Sequence, residues 1–388
     1  MEEWKEYKLG GITSKIGSGA TPKGGKESYL GGNIALIRSQ NILDFAFTNS
    51  GLVYINKDQA SKLNNVEVKE NDILLNITGD SVARVCIVPQ KILPARVNQH
   101  VAIIRGNDIV DNRYLLYYLQ YIKPYLLSLS QGGATRNALT KKMLEDLDIK
   151  VPSKNVQNII ISVLSSLDDK IELNRRINEN LEQQAQALFK SWFVDFEPFK
   201  DGKFVDSEQG MIPEGWKVGN LEELVEVKYG KDHKKLAPGT IPVYGSGGIM
   251  RYVDQYLYNK ESVLIPRKGS LNNVMYINRP FWTVDTMFYT RMKIEGIAKF
   301  IYLFMSPKDL LSMNSGSAVP SMTVDILNKI QIITPPINII QKFECIMKPI
   351  FTKMDLCSYE NQKLSQLRDT LLPRLMSGEL EIKDNSYD

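Results

Sequence analysis

The chain has 388 residues, 43% of them hydrophobic and 24% charged, with a formal net charge of +4. That length exceeds what one hydrophobic core holds, so two or more domains are expected, and the slight basic excess says little until its distribution is known. The three widely spaced cysteines (Cys86, Cys345, Cys357) exclude a disulfide framework, and two histidines without a Cys or His at ligand spacing exclude a zinc site.

The N-terminal stretch MEEWKEYKLGG lacks the apolar segment of a signal peptide, and no run reaches the length of a membrane span. A cytoplasmic protein is expected. The first segment then alternates β-branched stretches (NIALIRS, DILLNI, VAIIRG) with polar loops. These loops are SGATPKGGKESY (18–29), RSQNI (38–42), ARVNQH (95–100) and GGATRNA (132–138). Short strands with turn residues between them predict an α+β or mainly β unit.

After Pro152 the pattern changes. Ile160, Leu164, Leu167, Ile171, Asn174, Asn178, Leu181, Ala185, Leu188 and Trp192 recur at alternating spacings of four and three. That is the seam of a heptad repeat, and it predicts one long helix ending before Pro198. A second globular segment follows, with strands SVLIPR and NVMYI. Its loops are KYGKDHKKL (228–236), VYGSGGIMRY (243–252) and RKGSLNN (267–273). Pro335-Pro336 opens a second helix whose seam runs Phe343, Met347, Ile350, Met354, Cys357, Asn361, Leu364, Arg368, Leu371 and Leu375, stopping at Gly378.

The second half repeats the first. Thr140–Pro152 aligns without a gap with Thr323–Pro335, at an offset of 183 that also carries one helical seam onto the other. DILLNITG (72–79) resembles SVLIPRKG (262–269), and Trp4 corresponds to Trp216 at an offset of 212. The predicted organisation is a globular domain at 1–151, a helix at 152–198, a globular domain at 199–334 and a helix at 335–380. An isolated seam needs a partner. Pairing the helices with each other as an intramolecular coiled coil would use Leu164, Leu167, Ile171, Asn174, Leu181 and Leu188 against Met347, Ile350, Met354, Asn361, Leu364 and Leu371. An antiparallel pairing sets Asn174 opposite Asn361 and a parallel one sets Asn178 there, so both give a polar layer. The competing expectation is that each helix packs on its own globular segment.

The polar loops have the composition of a duplex-binding surface. Lys and Arg neutralise phosphates, glycine admits the backbone, Arg reads guanine, and Asn and Gln read adenine. The candidate DNA-contacting residues are Thr21, Lys23, Lys26, Arg38, Gln40, Asn41, Arg84, Arg96, Asn98, Gln99, Thr135, Arg136 and Asn137 in the first half. In the second they are Lys231, Lys234, Lys235, Tyr244, Ser246, Arg251, Arg267, Lys268, Asn272, Asn273 and Ser317. Catalytic signatures are missing from the sequence. GSG (17–19) and GSGG (245–248) lack the rest of a nucleotide-binding fingerprint, and there is no amino-methyltransferase motif. Glu67 with Lys69, and Glu226 with Lys228, read as solvated strand edges; no metal site is expected. His100 and His233 have no triad partners.

The order of segments resembles the specificity subunit of type I restriction-modification systems over nearly the whole chain. The resemblance is carried by LFKSWFVDFEP (188–198), IPVYGSGGIMRYVDQYL (241–257), SGSAVPSMTVDILNKIQIITPP (315–336) and LLPRLMSGELEI (371–382). It implies two target-recognition domains related by a pseudo-two-fold internal repeat, joined by antiparallel helices that act as a spacer. It implies a non-catalytic subunit, each domain reading one half of a bipartite, asymmetric DNA target. The implied partners are double-stranded DNA and modification (methyltransferase) subunits, two per specificity subunit, with or without restriction motor subunits, and no membrane. S-adenosylmethionine, ATP and Mg would then be held by those partners and no cofactor by this chain. A seam of about 50 Å, at about 1.5 Å per residue, is compatible with half-sites about one duplex turn apart. The alternatives are a single-chain restriction or modification enzyme, which lacks a visible motif, and a coiled-coil scaffold with protein-binding heads.

Overall fold

The computed structural model describes residues 4–22, 29, 31–131, 137–313 and 321–380. The chain forms two compact units, one of residues 1–173 with 360–388 and one of residues 174–359. Two long helices, Lys154–Phe193 and Ile337–Met376, each contribute to both units. The architecture is mixed α+β.

In the first unit an antiparallel sheet runs in the order Thr13–Ser18, Val101–Gly106, Ile73–Asn76, Val85–Ile87. A second sheet holds Val53–Ile55, Ile34–Ile37, Ala95–Val97 and Glu67–Val68, and its central pair is parallel. Successive strand residues face opposite sides, and here both sides are covered. Ile73 and Leu75 pack with Tyr114, Leu115 and Leu119 of the helix Asn112–Tyr121, while Leu74 packs with Leu36, Ile37 and Val97 of the second sheet. Ile104 and Ile103 divide in the same way. A strand buried on both faces has no polar side, which is why these stretches read as continuous apolar runs.

The second unit repeats this plan. Its sheet orders Val225–Tyr229, Met287–Met292, Ser262–Pro266 and Met275–Ile277. A three-stranded sheet of Gly248–Val253, Pro238–Gly245 and Trp282–Thr283 again contains one parallel pair. Val263 and Ile265 face Phe300 and Ile301 of the helix Ala298–Met305, whereas Leu264 faces Val243 and Phe281.

The correspondence extends to single residues at the junctions. The strand pair Lys5–Lys8 with Asp148–Val151 matches Lys217–Asn220 with Gln331–Thr334, and the pairing Lys5↔Val151 recurs as Lys217↔Thr334. Thr140 and Thr323 each cap a short helix, accepting the N–H of Met143 at 3.2 Å and of Ile326 at 3.3 Å. Gly19 and Gly230 occupy matching close approaches, where a Cβ would lie 1.8 Å from the Val97 carbonyl oxygen and 2.0 Å from that of Val284. Neither position accommodates a side chain.

Both long helices enter both cores. Val156, Ile160 and Leu164 join Leu372, Leu375 and Met376 in the first unit; Ala185, Phe189 and Phe193 join Ile340, Phe343, Met347 and Phe351 in the second. Helix-to-helix contacts occur alongside this packing. In the first unit Arg368 reaches Asp168 at 2.8 Å and the Asn361 Nδ2 donates to the Ile171 carbonyl at 3.2 Å. Numbers rise on one helix as they fall on the other, so these two portions run antiparallel. In the second unit the Asn178 Nδ2 donates to the Met354 carbonyl at 3.2 Å and to Ser358 Oγ at 3.0 Å. None of the expected seam residues is exposed.

Candidate nucleic-acid interface

Each unit brings the same loops together. In the first, the turn after Ile73–Asn76 is tied to the turn before Val101–Gly106 by the Ile77 N–H donating to the His100 carbonyl at 3.0 Å. It is tied to the segment before the Thr140 cap by Gly79 N–H to Asn137 O at 3.2 Å and Leu139 N–H to Ile77 O at 2.8 Å. The turn after Ile34–Ile37 joins through Asn76 Nδ2, which donates to the Ser39 carbonyl at 2.9 Å. Together they line an open cleft of about 640 Å³ walled by Ser39, Gln40, Thr78, Ser81, Arg84 and His100.

The second unit repeats the two Ile77 backbone bonds at Arg267 and ties in its third loop through a residue at a different position. Arg267 N–H donates to Thr286 O at 2.9 Å, Met322 N–H to Arg267 O at 2.9 Å, and Asn273 Nδ2 to Ser246 O at 2.8 Å. The bridge Thr78↔Ala138 of the first unit recurs as Lys268↔Ser321. One backbone frame is therefore built twice, with different side chains on it.

Several sequence-predicted residues gather on this frame. Gln40, Gln99 and Asn137 are exposed and Arg84 half-buried in the first unit, and the Thr21 hydroxyl meets Gln99 Oε1. In the second unit Ser246, Arg267, Lys268 and Asn273 lie together, with Lys268 exposed. The Lys231 N–H anchors its loop on the Thr283 carbonyl at 2.8 Å, and Lys231, Lys234 and Lys235 are exposed. Beside them the backbone N–H of Lys234 holds Asp232 below the ordinary carboxylate range. The Arg267 guanidinium donates to the Asp285 carbonyl at 3.3 Å and lies 5.5 Å from the Tyr229 ring. Arg251 is half-buried on its hairpin, donating to the Leu236 carbonyl at 2.9 Å.

Other predicted residues are used up inside the fold. Arg96 is 6% exposed and its guanidinium donates to Ala60 O, Ala95 O, Asn64 Oδ1 and Glu67 Oε1, so it braces the second sheet instead of facing a duplex. Asn41 is fully buried and clamps its own loop, its Nδ2 donating to Thr48 O at 3.1 Å and Ser50 O at 3.2 Å. Asn98 is buried as well, its Oδ1 accepting the His100 N–H at 3.0 Å in an Asx turn. Tyr244 belongs to the core with Phe281 and Tyr289, and burial pushes its hydroxyl above the ordinary tyrosine range. Asn272 braces a loop between Asp309 Oδ1 and the Leu311 N–H. Arg38 turns back to donate to the Gly51 carbonyl at 2.5 Å. Lys23, Lys26, Thr135, Arg136 and Ser317 lie outside the described residues.

The frame also includes Thr78 and His100, neither of which is among the candidate contacts read from the sequence. The repeat pointed to Thr78, because it occupies the position of Lys268 in the aligned stretches 72–79 and 262–269. Among the described residues no group of His, Cys, Asp and Glu is arranged to hold a metal ion, and no helix is long and apolar enough to cross a membrane.

The family model for the type I restriction modification DNA specificity domain matches residues 1–183 and again residues 213–366. The chain belongs to this family. Each match of the DNA specificity domain covers one copy of the loop frame. The chain is 28% identical to the type I restriction enzyme MjaIX specificity subunit of Methanocaldococcus jannaschii, over 99% of this chain and 95% of that one. It is 26% identical to the HindI specificity subunit of Haemophilus influenzae, over 98% and 100%. In fold it is similar to the crystal structure of the type I restriction-modification S subunit from M. genitalium, with a TM-score of 0.55 at 19% identity over 96% of each chain.

Proposed function

We propose that this chain is the DNA specificity subunit of a type I restriction-modification system, without catalytic chemistry of its own. Each unit reads one half of a bipartite target through its four-loop frame. The long helices pair as an antiparallel coiled coil, which provides the spacer and the docking platform for two modification subunits. S-adenosylmethionine belongs to those partners, as do ATP and Mg where restriction subunits take part.

The observation that carries the reading is one frame built twice with different side chains. Ile77, Thr78 and Gln99 of the first unit give way to Arg267, Lys268 and Asp285 in the second. A duplicated scaffold with unlike side chains suits two unlike half-sites, because phosphate contacts position the reader while base-edge contacts specify.

The test is the pattern of DNA methylation in cells that express the chain with its modification subunits. The expected result is a two-part motif with a fixed gap and unlike halves. A continuous or palindromic motif, or methyl transfer by the purified chain alone, overturns the proposal.

A further inference from the structure

We infer that Gln99 reads an adenine in the half-site served by the first unit, with Thr21 and His100 holding its carboxamide in place. This rests on the DNA-reading function proposed above and carries it to one side chain and one base.

An exposed glutamine ordinarily samples many rotamers. Gln99 is exposed, yet both ends of its amide are engaged: Oε1 by the Thr21 hydroxyl, and Nε2 at 3.1 Å from His100 Nε2. His100 is itself fixed. Its Nδ1 lies 2.5 Å from Thr78 Oγ1, its N–H donates to Asn98 Oδ1 at 3.0 Å, and its carbonyl accepts the Ile77 N–H at 3.0 Å. With Gln99 Nε2 donating, His100 Nε2 is the acceptor, so the ring proton sits on Nδ1 and points to Thr78.

This chain of side chains uses one lone pair of the Gln99 oxygen and one of its two N–H groups. One lone pair and one N–H are left on the same rigid amide. A carboxamide edge that carries one lone pair and one N–H matches the N6 amino group and N7 of adenine in the major groove. The buried Asn98, lost to direct DNA contact, thereby gains a role in orienting the reader beside it. The second unit differs here. By the match of Ile77 N–H to His100 O with Arg267 N–H to Thr286 O, the counterpart of Gln99 is Asp285, an exposed carboxylate that only accepts. An adenine preference from this position is thus confined to one half-site.

The experiment measures binding of the complex of this chain with its modification subunits to its target duplex. Each adenine of the first half-site is replaced in turn by 7-deazaadenine, which lacks the N7 acceptor. With the unaltered protein one position loses about tenfold in affinity. In Gln99→Ala the same replacement has no further effect. His100→Ala weakens the discrimination at that one position alone. The inference is overturned if the sensitive position stays sensitive in Gln99→Ala, if no adenine of the first half-site couples to Gln99, or if Gln99→Ala weakens every duplex equally. Because the replacements are made in the DNA, the unaltered complex already tests for a sensitive adenine without relying on a variant that folds. Failure of the unaltered complex to prefer a bipartite target overturns the proposed function instead.

Discussion

Arg368 meets Asp168 between portions of the two long helices in the first unit, Nη1 to Oδ1 at 2.8 Å. The Tyr117 hydroxyl donates to the other carboxylate oxygen at 2.7 Å, and the guanidinium carbon lies 3.6 Å from the Phe45 ring centre. One carboxylate thus ties both helices to the helix Asn112–Tyr121. Removing Asp168 leaves the buried Arg368 with only the exposed Asp369, at 3.0 Å, as a charged partner, so Asp168→Ala is expected to destabilise the first unit by about 2 kcal/mol. Replacing both, as Asp168→Leu with Arg368→Met, should cost less than Asp168→Ala alone; urea unfolding compares them.

The same carboxylate gives a pH signature. Burial raises Asp168 above the ordinary carboxylate range, against the lowering pull of Arg368 and Tyr117. A carboxylate raised on folding binds its proton more tightly in the native state. Its contribution is therefore fully present below the unfolded value and lost as pH rises through the folded one. Asp168→Asn has no such titration. The stability of the unaltered protein relative to Asp168→Asn should fall as pH rises through that window, read from urea midpoints at a series of pH values.

Glu344 plays a similar part in the second unit. Its Oε1 accepts the N–H groups of Lys299 and Phe300 at 2.9 Å each, at the start of the helix Ala298–Met305, and its Oε2 lies 3.2 Å from Lys299 Nζ. Glu344→Ala strands two backbone donors and leaves the Lys299 ammonium with Glu261 alone, at 2.9 Å, and is expected to lose about 3 kcal/mol. Glu344→Gln keeps an oxygen for the backbone donors and should lose less. Trp192, Trp216 and Trp282 belong to the second unit and Trp4 to the first, so tryptophan fluorescence is weighted towards unfolding of the second.

The paired glycines offer a test of the repeat itself. A Cβ at Gly19 or Gly230 would run into a backbone oxygen of a neighbouring segment, which has no side-chain freedom with which to yield. Each alanine substitution should destabilise its own unit by about 2–3 kcal/mol. Gly11→Ala, where nothing lies within 4 Å, serves as the control. Equal thermal stability of Gly19→Ala and Gly11→Ala would show that the strand at Val97 can move aside.

The repeat was legible in the sequence because it is written in caps, prolines and apolar runs whose positions the backbone dictates. The aligned Thr140 and Thr323 both cap short helices, and ILL at 73–75 recurs as VLI at 263–265 in strands with both faces buried. The loops were less legible. RSQNI holds the exposed Gln40 beside the fully buried Asn41, and ARVNQH holds the exposed Gln99 beside the buried Arg96 and Asn98. Polar composition marks a loop that turns sharply. It does not say which amide is spent closing the turn and which is left facing outward, since that depends on carbonyls supplied from distant segments.

Lys268 and Arg96 separate these two fates by experiment. Lys268 is exposed on the second unit's frame, with its backbone bridged to Ser321, so its ammonium is free to neutralise a phosphate. Lys268→Ala should lower DNA affinity of the assembled complex, reduce the slope of log affinity against log salt by about 0.9, and leave stability unchanged. Arg96→Ala should do the opposite. It strands the carbonyls of the buried Ala60 and Ala95, costing about 2–3 kcal/mol of first-unit stability with no change in salt slope. Filter binding across a salt series, run beside urea unfolding, reads both. A reduced slope for Arg96→Ala with intact folding would place that guanidinium on the DNA after all, and an unchanged slope for Lys268→Ala would remove the second unit's turn at 267–269 from the interface.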